Sequence, residues 1–475
     1  MTLSHLGAKE GVTGSCHLLH VKGLNILVDC GSFQGNDRPV PMESWPVKPA
    51  DIHFLFVTHA HIDHIGRIPE LIQRGFQGEI LTTHPTKALL IPMLEDAMGF
   101  SGIQEVEATR ICKTIEKLSW RFDYGEVFDL KKGLRFKLGR AGHILGSCFV
   151  RLEDRETGRS VIFSGDLGAF DTPLLPDPEP PDPCDVLVLE STYGDTLHRS
   201  RHDRVRRLGS ILSKALSDGG KLFIPAFALG RSQELIYEMD RLYSDAMLQR
   251  EFPRLGGSKV PVLLDSPLGI RLTKIYSSLA PYWDREAKDL LARGDNPIDF
   301  NGLYTVTRHQ DHNRLLEMKG PAVIIAGSGM CTGGRIVDHL RAGLEDPRND
   351  VLFVGYQAEG TLGRRVIESV ESIGSLGRRG VGTIESEGAV ESGEVLGRGR
   401  KADGYVELDG ERVRIRAGVH VLPGYSAHAD QKGLMDWVAT MPEKPGSIRL
   451  VHGEARARKA LGERLRAGGY RVVEF

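Results

Sequence analysis

Residues 57–66 read VTHAHIDHIG and continue the apolar run HFLFV (53–57). Four strong metal ligands, His59, His61, Asp63 and His64, fall within six residues. A helical zinc site sets its two histidines one turn apart, whereas His59 and His61 would point to different faces of a helix. A period of two suits an extended segment leaving a strand end, from which both rings turn to one side. Asp63 and His64 are adjacent and so are expected to serve a neighbouring position. Nitrogen and carboxylate donors without thiolate suit zinc, or a harder ion such as manganese. One hexapeptide cannot complete two coordination spheres, so further ligands are expected at other strand ends.

Three residues share the same context of apolar strand, polar ligand and nearby glycine. They are His143 in RAGHILGS, Asp166 in FSGDLG and His452 in RLVHGE. Asp29 in ILVDCG is a further strand-end acid. Taken singly, each also reads as a turn residue, a cap or a hydrogen-bonded core histidine. Their common setting is what joins them into a set.

The rest of the chain bounds the answer. Its 475 residues suggest two or more domains. The net charge of −2 neither requires nor excludes a polyanionic partner. The six cysteines (16, 30, 112, 148, 184 and 331) form no CxxC pair, which predicts buried free thiols in a reducing cytoplasm. MTLSHLGAKEG lacks the basic-then-apolar order of a signal peptide. No run of about 18 apolar residues predicts a membrane span. CHLLHV and LNILVDC predict a hairpin about Lys22 and Gly23. ALLIPMLEDAMGF and EVEATRICKTIEKL predict helices, while FSGDLG and VLVLESTYG predict strands ending in acids. PDPEPPDP (176–183) is a rigid connector. From about residue 203 helix and strand alternate, as in βαβ units with a parallel sheet. Residues 374–404, rich in Gly, Glu and Arg, predict a flexible excursion or small hairpin outside the core. The last stretch reads strand, helix, strand, ending in YRVVEF.

HxHxDH, the later GH, the strand-end GD and the late histidine resemble the metallo-β-lactamase fold of hydrolases. Six further motifs resemble its β-CASP branch: ESTYGD (190–195), PAFALGRSQEL (225–235), GSGMCTGGR (327–335), YQAEGTLGRR (356–365), PGYSAHAD (423–430) and LVHGE (450–454). That branch includes the endonuclease subunit of the cleavage and polyadenylation specificity factor and shorter bacterial relatives. The resemblance covers almost the whole chain apart from about 374–404. It implies an α/β architecture: an αββα sandwich built from 1–194 and 416–475, with an α/β domain of parallel sheet and flanking helices inserted at 195–415. It implies one zinc on His59, His61 and His143, and a second on Asp63, His64 and His452. Asp166 would bridge them, and Asp29 would orient the ligand loop from behind. His428 of YSAHAD would pair with Glu190 of EST and act as general acid.

The implied activity is hydrolysis of single-stranded RNA by a hydroxide shared between the metals, leaving a 5′-phosphate and a 3′-hydroxyl. Some family members also trim from the 5′ end. DNA-repair members typically carry an apolar residue where this chain has His452, which favours RNA. The glycine-rich GSGMCTGGR follows a strand, so its backbone N–H groups suit a phosphate. Ser328, Gly329 and Arg335 there, and Arg231 in ALGRSQ, are the candidate RNA-phosphate contacts. Two other functional classes are the alternatives. A hydrolase of another substrate, DNA or a thioester, fits the fold but not the long insertion. A non-catalytic RNA-processing scaffold is expected to have lost ligands, and here all seven are present together with Glu190 and His428. RNA selection would rest on the catalytic body or on a dimer partner.

Overall fold

The computed structural model describes residues 1–35, 37–198, 203–255, 260–377, 394–397, 404–422 and 424–473. It divides into two compact units: 1–197 with 278–284 and 427–475, and 198–277 with 285–426.

The first unit holds two six-stranded sheets. One runs in chain order through β1 (Thr2–Gly7), β2 (Cys16–Val21), β3 (Leu24–Val28), β4 (Phe54–Phe56), β5 (Glu79–Thr83) and β6 (Ser119–Phe122). β1 to β3 are antiparallel, and β3 to β6 are parallel. The β2–β3 turn falls on Lys22 (φ 50°) and Gly23 (φ 68°), two left-handed residues that match the twist of the paired strands. The second sheet comprises β7 (Val127–Asp129), β8 (Leu134–Arg140), β9 (Cys148–Asp154), β10 (Ser160–Phe163) and β11 (Val186–Glu190). Its far edge, beside β11, is a strand from the end of the chain, Ser447–Val451.

Apolar side chains of both sheets meet in one core, with Leu19, Ile26, Val28, Phe54 and Phe56 against Phe136, Val150, Val161, Phe163, Val188 and Val451. β3 reads LNILV and is buried throughout, as a strand covered on both faces should be. Helices α1 (Ile62–Ile65), α2 (Ile68–Gln73), α3 (His84–Phe100) and α4 (Glu105–Leu118) follow the strands of the first sheet, and α3 and α4 pack on it. The outer face of the second sheet is covered by Leu434, Trp437, Leu461 and Leu465 from two late helices. Helix, sheet, sheet and helix thus form four layers.

The second unit alternates helix and strand: α5 (Arg204–Ala215), β12 (Lys221–Pro225), α6 (Arg231–Ser244), α7 (Ala246–Glu251), β13 (Val262–Asp265), α8 (Pro267–Ser278), α9 (Arg285–Ala292), β14 (Leu303–Thr305), α10 (His309–Glu317), β15 (Ala322–Ala326), α11 (Arg335–Gly343), β16 (Asp350–Phe353) and α12 (Leu362–Gly377). After β17 (Glu394–Gly397) come the hairpin β18 (Gly404–Leu408) and β19 (Glu411–Ile415), then β20 (Gly418–Val421). The sheet order is β14-β13-β15-β12-β16-β20-β17, and only β17 is antiparallel to its neighbour. α13 (Gln431–Ala439), β21 (Ser447–Val451) and α14 (Ala455–Ala467) return to the first unit.

Three expectations change. The ligand stretch is extended only through His61 (φ −70°, ψ 147°) and then turns into the short helix α1, too brief to show a helical period. The 374–404 excursion is not wholly outside the sheet, because 374–377 finish α12 and 394–397 form the edge strand β17. Residues 378–393 and 398–403 lie outside the described residues. YRVVEF forms no strand of its own among the described residues; Val472 makes a single parallel bridge to Ile448. All six cysteines are free and buried. No helix among the described residues is long and apolar enough to cross a membrane.

Candidate metal centre

Every candidate ligand sits where a strand of the first unit ends. His59 and His61 follow β4, and Asp63 and His64 occupy α1 just beyond. His143 follows β8, Asp166 follows β10, and His452 follows β21. Backbone bonds staple the ligand stretch to its surroundings. Ser15 N donates to Asp63 O (2.8 Å), Cys30 N to His64 O (2.8 Å) and Ser32 N to Ile62 O (2.9 Å). Gly31 lies so close that a Cβ there would stand 1.6 Å from Asp63 O, so only glycine fits.

The side chains form two groups. His59 Nε2 and His143 Nε2 each lie 3.1 Å from His61 Nδ1. His64 Nε2 lies 3.1 Å from His452 Nε2, and Asp63 Oδ2 is 3.4 Å from the latter. Asp166 Oδ2 stands between them, 3.6 Å from His59 Nε2, 3.8 Å from His143 Nε2 and 3.3 Å from His64 Nε2. In each group one ligand atom per residue falls within 4.8 Å of the others.

This arrangement suits cations. His64 spends Nδ1 on Asp29 Oδ2 (2.8 Å), and His452 Nδ1 meets Thr192 Oγ1 (3.1 Å). Their Nε2 atoms are thereby turned toward one another, a contact that two lone pairs cannot sustain without a proton or a metal ion between them. Asp166 Oδ1 is buried with no hydrogen-bond partner among the described residues. Five nitrogens and two carboxylates, with no thiolate, match zinc better than calcium or magnesium.

The electrostatics agree. Burial drives His59 and His143 well below the ordinary imidazole range, and His61 down to about 4, so these three offer neutral nitrogen. Burial also opposes charge on His64, but Asp166, Asp29 and Asp63 together raise it well above that range. His452 is likewise raised against its burial, by Asp166 and by its hydrogen bond to Asp63. The second group therefore collects positive charge, as protons or as a metal ion.

Asp29 takes up a left-handed conformation (φ 60°) at the end of β3. Its carboxylate accepts from Thr58 N (2.8 Å), Thr58 Oγ1 (2.8 Å) and His64 Nδ1, and so fixes both the ligand stretch and the His64 tautomer. At the open side of the centre, His428 Nδ1 lies 3.1 Å from Glu190 Oε1 and 3.9 Å from Asp166 Oδ2. Glu190 is fully buried and is itself held by Leu167 N (2.8 Å) and Thr192 N (3.1 Å). Burial lowers His428, yet Glu190 and Asp166 outweigh it and raise the imidazole to about 9.

The phosphate candidates belong to the second unit, and two of them are ion-paired there. Arg335 donates to Asp265 Oδ1 (2.6 Å), Val306 O (2.7 Å) and Thr307 O (2.7 Å). Arg231 is buried, paired with Glu234 and placed over the Tyr425 ring. Both guanidiniums tie parts of the second unit together. Ser328 and Gly329 remain in a compact loop in which Thr332 N donates to Ser328 Oγ (2.9 Å). Asp265 Oδ2 also accepts from His312 Nδ1 and His339 Nε2 (2.6 and 2.7 Å), which makes a second buried group of potential ligands in the other unit. Sequence reasoning missed Thr58 and Thr192, because a hydroxyl that orients a ligand leaves no pattern in the chain.

Three family models match successive parts of the chain. The metallo-beta-lactamase superfamily model matches residues 10–225, the Beta-Casp domain 232–366, and the Zn-dependent metallo-hydrolase RNA specificity domain 412–473. A ribonuclease of Thermus thermophilus is 36% identical over 99% of this chain and 97% of its own. The transcription termination factor FttA of Pyrococcus horikoshii is 32% identical over 84% of this chain, which spans 57% of that longer protein. A crystal structure of a protein of unknown function from Enterococcus faecalis shares the fold, with a TM-score of 0.54 at 11% identity over 99% of this chain and 97% of that one.

Proposed function

The chain belongs to the β-CASP branch of metallo-β-lactamase-fold ribonucleases, and on that premise we propose that it cleaves single-stranded RNA with two zinc ions. On this reading His59, His61 and His143 would hold one ion and Asp63, His64 and His452 the other, with the Asp166 carboxylate within reach of both groups. When bound, such a pair supplies a water nucleophile competent near neutral pH and offsets charge gathering on the phosphoryl oxygens. Asp29 keeps His64 in the tautomer that presents Nε2. His428 carries the proton that the leaving 3′ oxygen requires, and Glu190 keeps it charged and aimed. The products are then a 5′-phosphate and a 3′-hydroxyl, from internal cuts and from trimming at a 5′ end. Ser328 and the backbone at Gly329 are the phosphate contacts that this reading retains.

The observation that carries the proposal is a carboxylate shared between two ligand groups, with the His428 imidazole 3.9 Å from it. The test uses end-labelled single-stranded RNA and DNA of one sequence, with and without chelator, and metal analysis of the purified protein. Internal RNA cuts that need metal and vanish in Asp166→Asn support the reading. RNA left intact by protein carrying two equivalents of zinc would sink it.

A further inference from the structure

The second unit repeats, on a smaller scale, the pattern that marks the first centre. Asp265 ends the apolar strand β13 (VLLD), much as Asp166 follows β10. His312 lies on α10 and His339 on α11, two helices that pack together. All three side chains are buried. Asp265 Oδ2 stands 2.6 Å from His312 Nδ1 and 2.7 Å from His339 Nε2. One ligand atom from each residue lies within 4.8 Å of the other two. The imidazoles meet edge to face, with centroids 5.2 Å apart and planes at 86°. Phe223 stacks on His339 (5.7 Å, 27°) and steadies its ring.

Hydrogen bonds between neutral imidazoles and carboxylates do not satisfy this arrangement. The far nitrogen of His312, Nε2, is buried and makes no hydrogen bond among the described residues, yet it stands 3.3 Å from Asp338 Oδ2. A neutral imidazole carries one N–H. With that proton on Nδ1, the bare Nε2 faces the Asp338 carboxylate. With it on Nε2, the bare Nδ1 faces Asp265 Oδ2. Either way two acceptors oppose each other in a buried setting, where unpaired acceptors are costly. The ring needs a second positive charge, as another proton or as a metal ion. A third donor, His339 Nε2, converges on the same point and favours the ion. Burial keeps His339 below the ordinary imidazole range against the pull of Asp265, so it offers neutral nitrogen. Burial also opposes charge on Asp265, but its bonds to His339, His312 and Arg335 hold it below the usual carboxylate range. Arg335 takes Oδ1 (2.6 Å), which leaves Oδ2 as the ligand atom.

We propose that Asp265 Oδ2, His312 Nδ1 and His339 Nε2 form a separate site for one zinc-type divalent ion, with Asp338 supporting His312 from behind. Two imidazoles and a carboxylate without thiolate suit zinc. A carboxylate behind a ligating imidazole orients the ring and strengthens it as a donor. Zinc–donor distances of about 2.0–2.1 Å put tetrahedral donors roughly 3.3 Å apart. Binding therefore parts the nitrogens from Oδ2 by several tenths of an ångström and displaces the protons held between them. The ion ties the end of β13 to α10 and α11. None of these residues belongs to the first centre, so the site stands whether or not the chain cuts RNA.

The test compares native protein with His312→Gln, His339→Gln and His312→Cys. Each is loaded with zinc, freed of excess by gel filtration and analysed for metal, with circular dichroism to confirm folding. Each glutamine variant should hold about one equivalent less than the native chain; whatever the first centre holds cancels in the difference. Cobalt loading gives a second reading that a folding defect does not mimic. A ligating thiolate at 312 should add a near-ultraviolet sulfur-to-cobalt charge-transfer band that the native protein lacks. Folded glutamine variants with the native zinc content overturn the site and leave a second proton on His312 as the charge between its carboxylates. A folded His312→Cys protein that takes up cobalt without the band overturns it too.

Discussion

Replacing Glu190 with glutamine separates the roles of charge and shape at the open side of the centre. Glu190 Oε1 serves both His428 Nδ1 (3.1 Å) and Leu167 N (2.8 Å), and Oε2 accepts from Thr192 N (3.1 Å). Glutamine keeps one acceptor oxygen but turns an NH2 toward the Thr192 N–H and removes the charge. His428 stands at about 9 against an ordinary 6.5, even though burial opposes it. That interval corresponds to roughly 3 kcal/mol in favour of the imidazolium. Bound metal ions cancel Asp166's share of the attraction, which leaves Glu190 as the main support. As a general acid, His428 works in its charged form, so activity falls as pH rises through its pKa. With Glu190→Gln the basic limb should move down by up to about two pH units. With a variant pKa near 6.5, cleavage at pH 7.5 should drop roughly 10-fold, and at pH 6 less than about 2-fold. Single-turnover cleavage of end-labelled RNA from pH 5.5 to 9.5, with zinc content measured in each sample, checks this. A loss of equal size at pH 6 and pH 8.5 would refute the role given to the charge.

Asp29→Asn, which weakens the hold on His64 Nδ1, should cost about 10- to 100-fold in zinc affinity by chelator competition, with Thr58→Val in the same direction. Gly31→Ala forces a Cβ to within 1.6 Å of Asp63 O and must displace the ligand stretch; urea melts should show about 1–3 kcal/mol lost, and zinc affinity should fall with it. Burial and the neighbouring Asp295 raise Asp240 to about 7. An acid raised on folding contributes stability below about pH 4 that is lost as pH climbs to 7, so Asp240→Asn should gain about 2–4 kcal/mol at pH 8 and almost nothing at pH 4 in paired denaturant melts. Zinc must displace protons that His64 and His452 retain above the ordinary imidazole range. Calorimetry in buffers of different ionisation enthalpy should therefore show proton release on binding and affinity that weakens as pH falls.

Much of the centre was legible because each ligand follows an apolar strand and precedes a turn, so chain context marked it. The same logic identified the parallel sheet of the second unit from its alternating texture. Other features depend on tertiary partners. Thr58 and Thr192 matter only because Asp29 and His452 come to lie beside them. The left-handed backbones of Asp29 (φ 60°) and His452 (φ 51°) occur at residues that do not advertise such geometry. β17 takes four residues from a glycine-rich stretch and exists through pairing with β20. A sequence does not reveal which acid pairs with a guanidinium, and the pairs Arg231–Glu234 and Arg335–Asp265 appear only in the fold.

β11 and β21 are side-by-side strands, yet everything from 198 to 426 is made between them. A growing chain that has emerged as far as Glu190 already carries His59, His61, Asp63, His64, His143 and Asp166. It still lacks both His428 and His452, and one edge of its second sheet is open. The two histidines that complete the candidate centre, and the strand that closes the sheet beside β11, therefore come from the part of the chain made after the insertion.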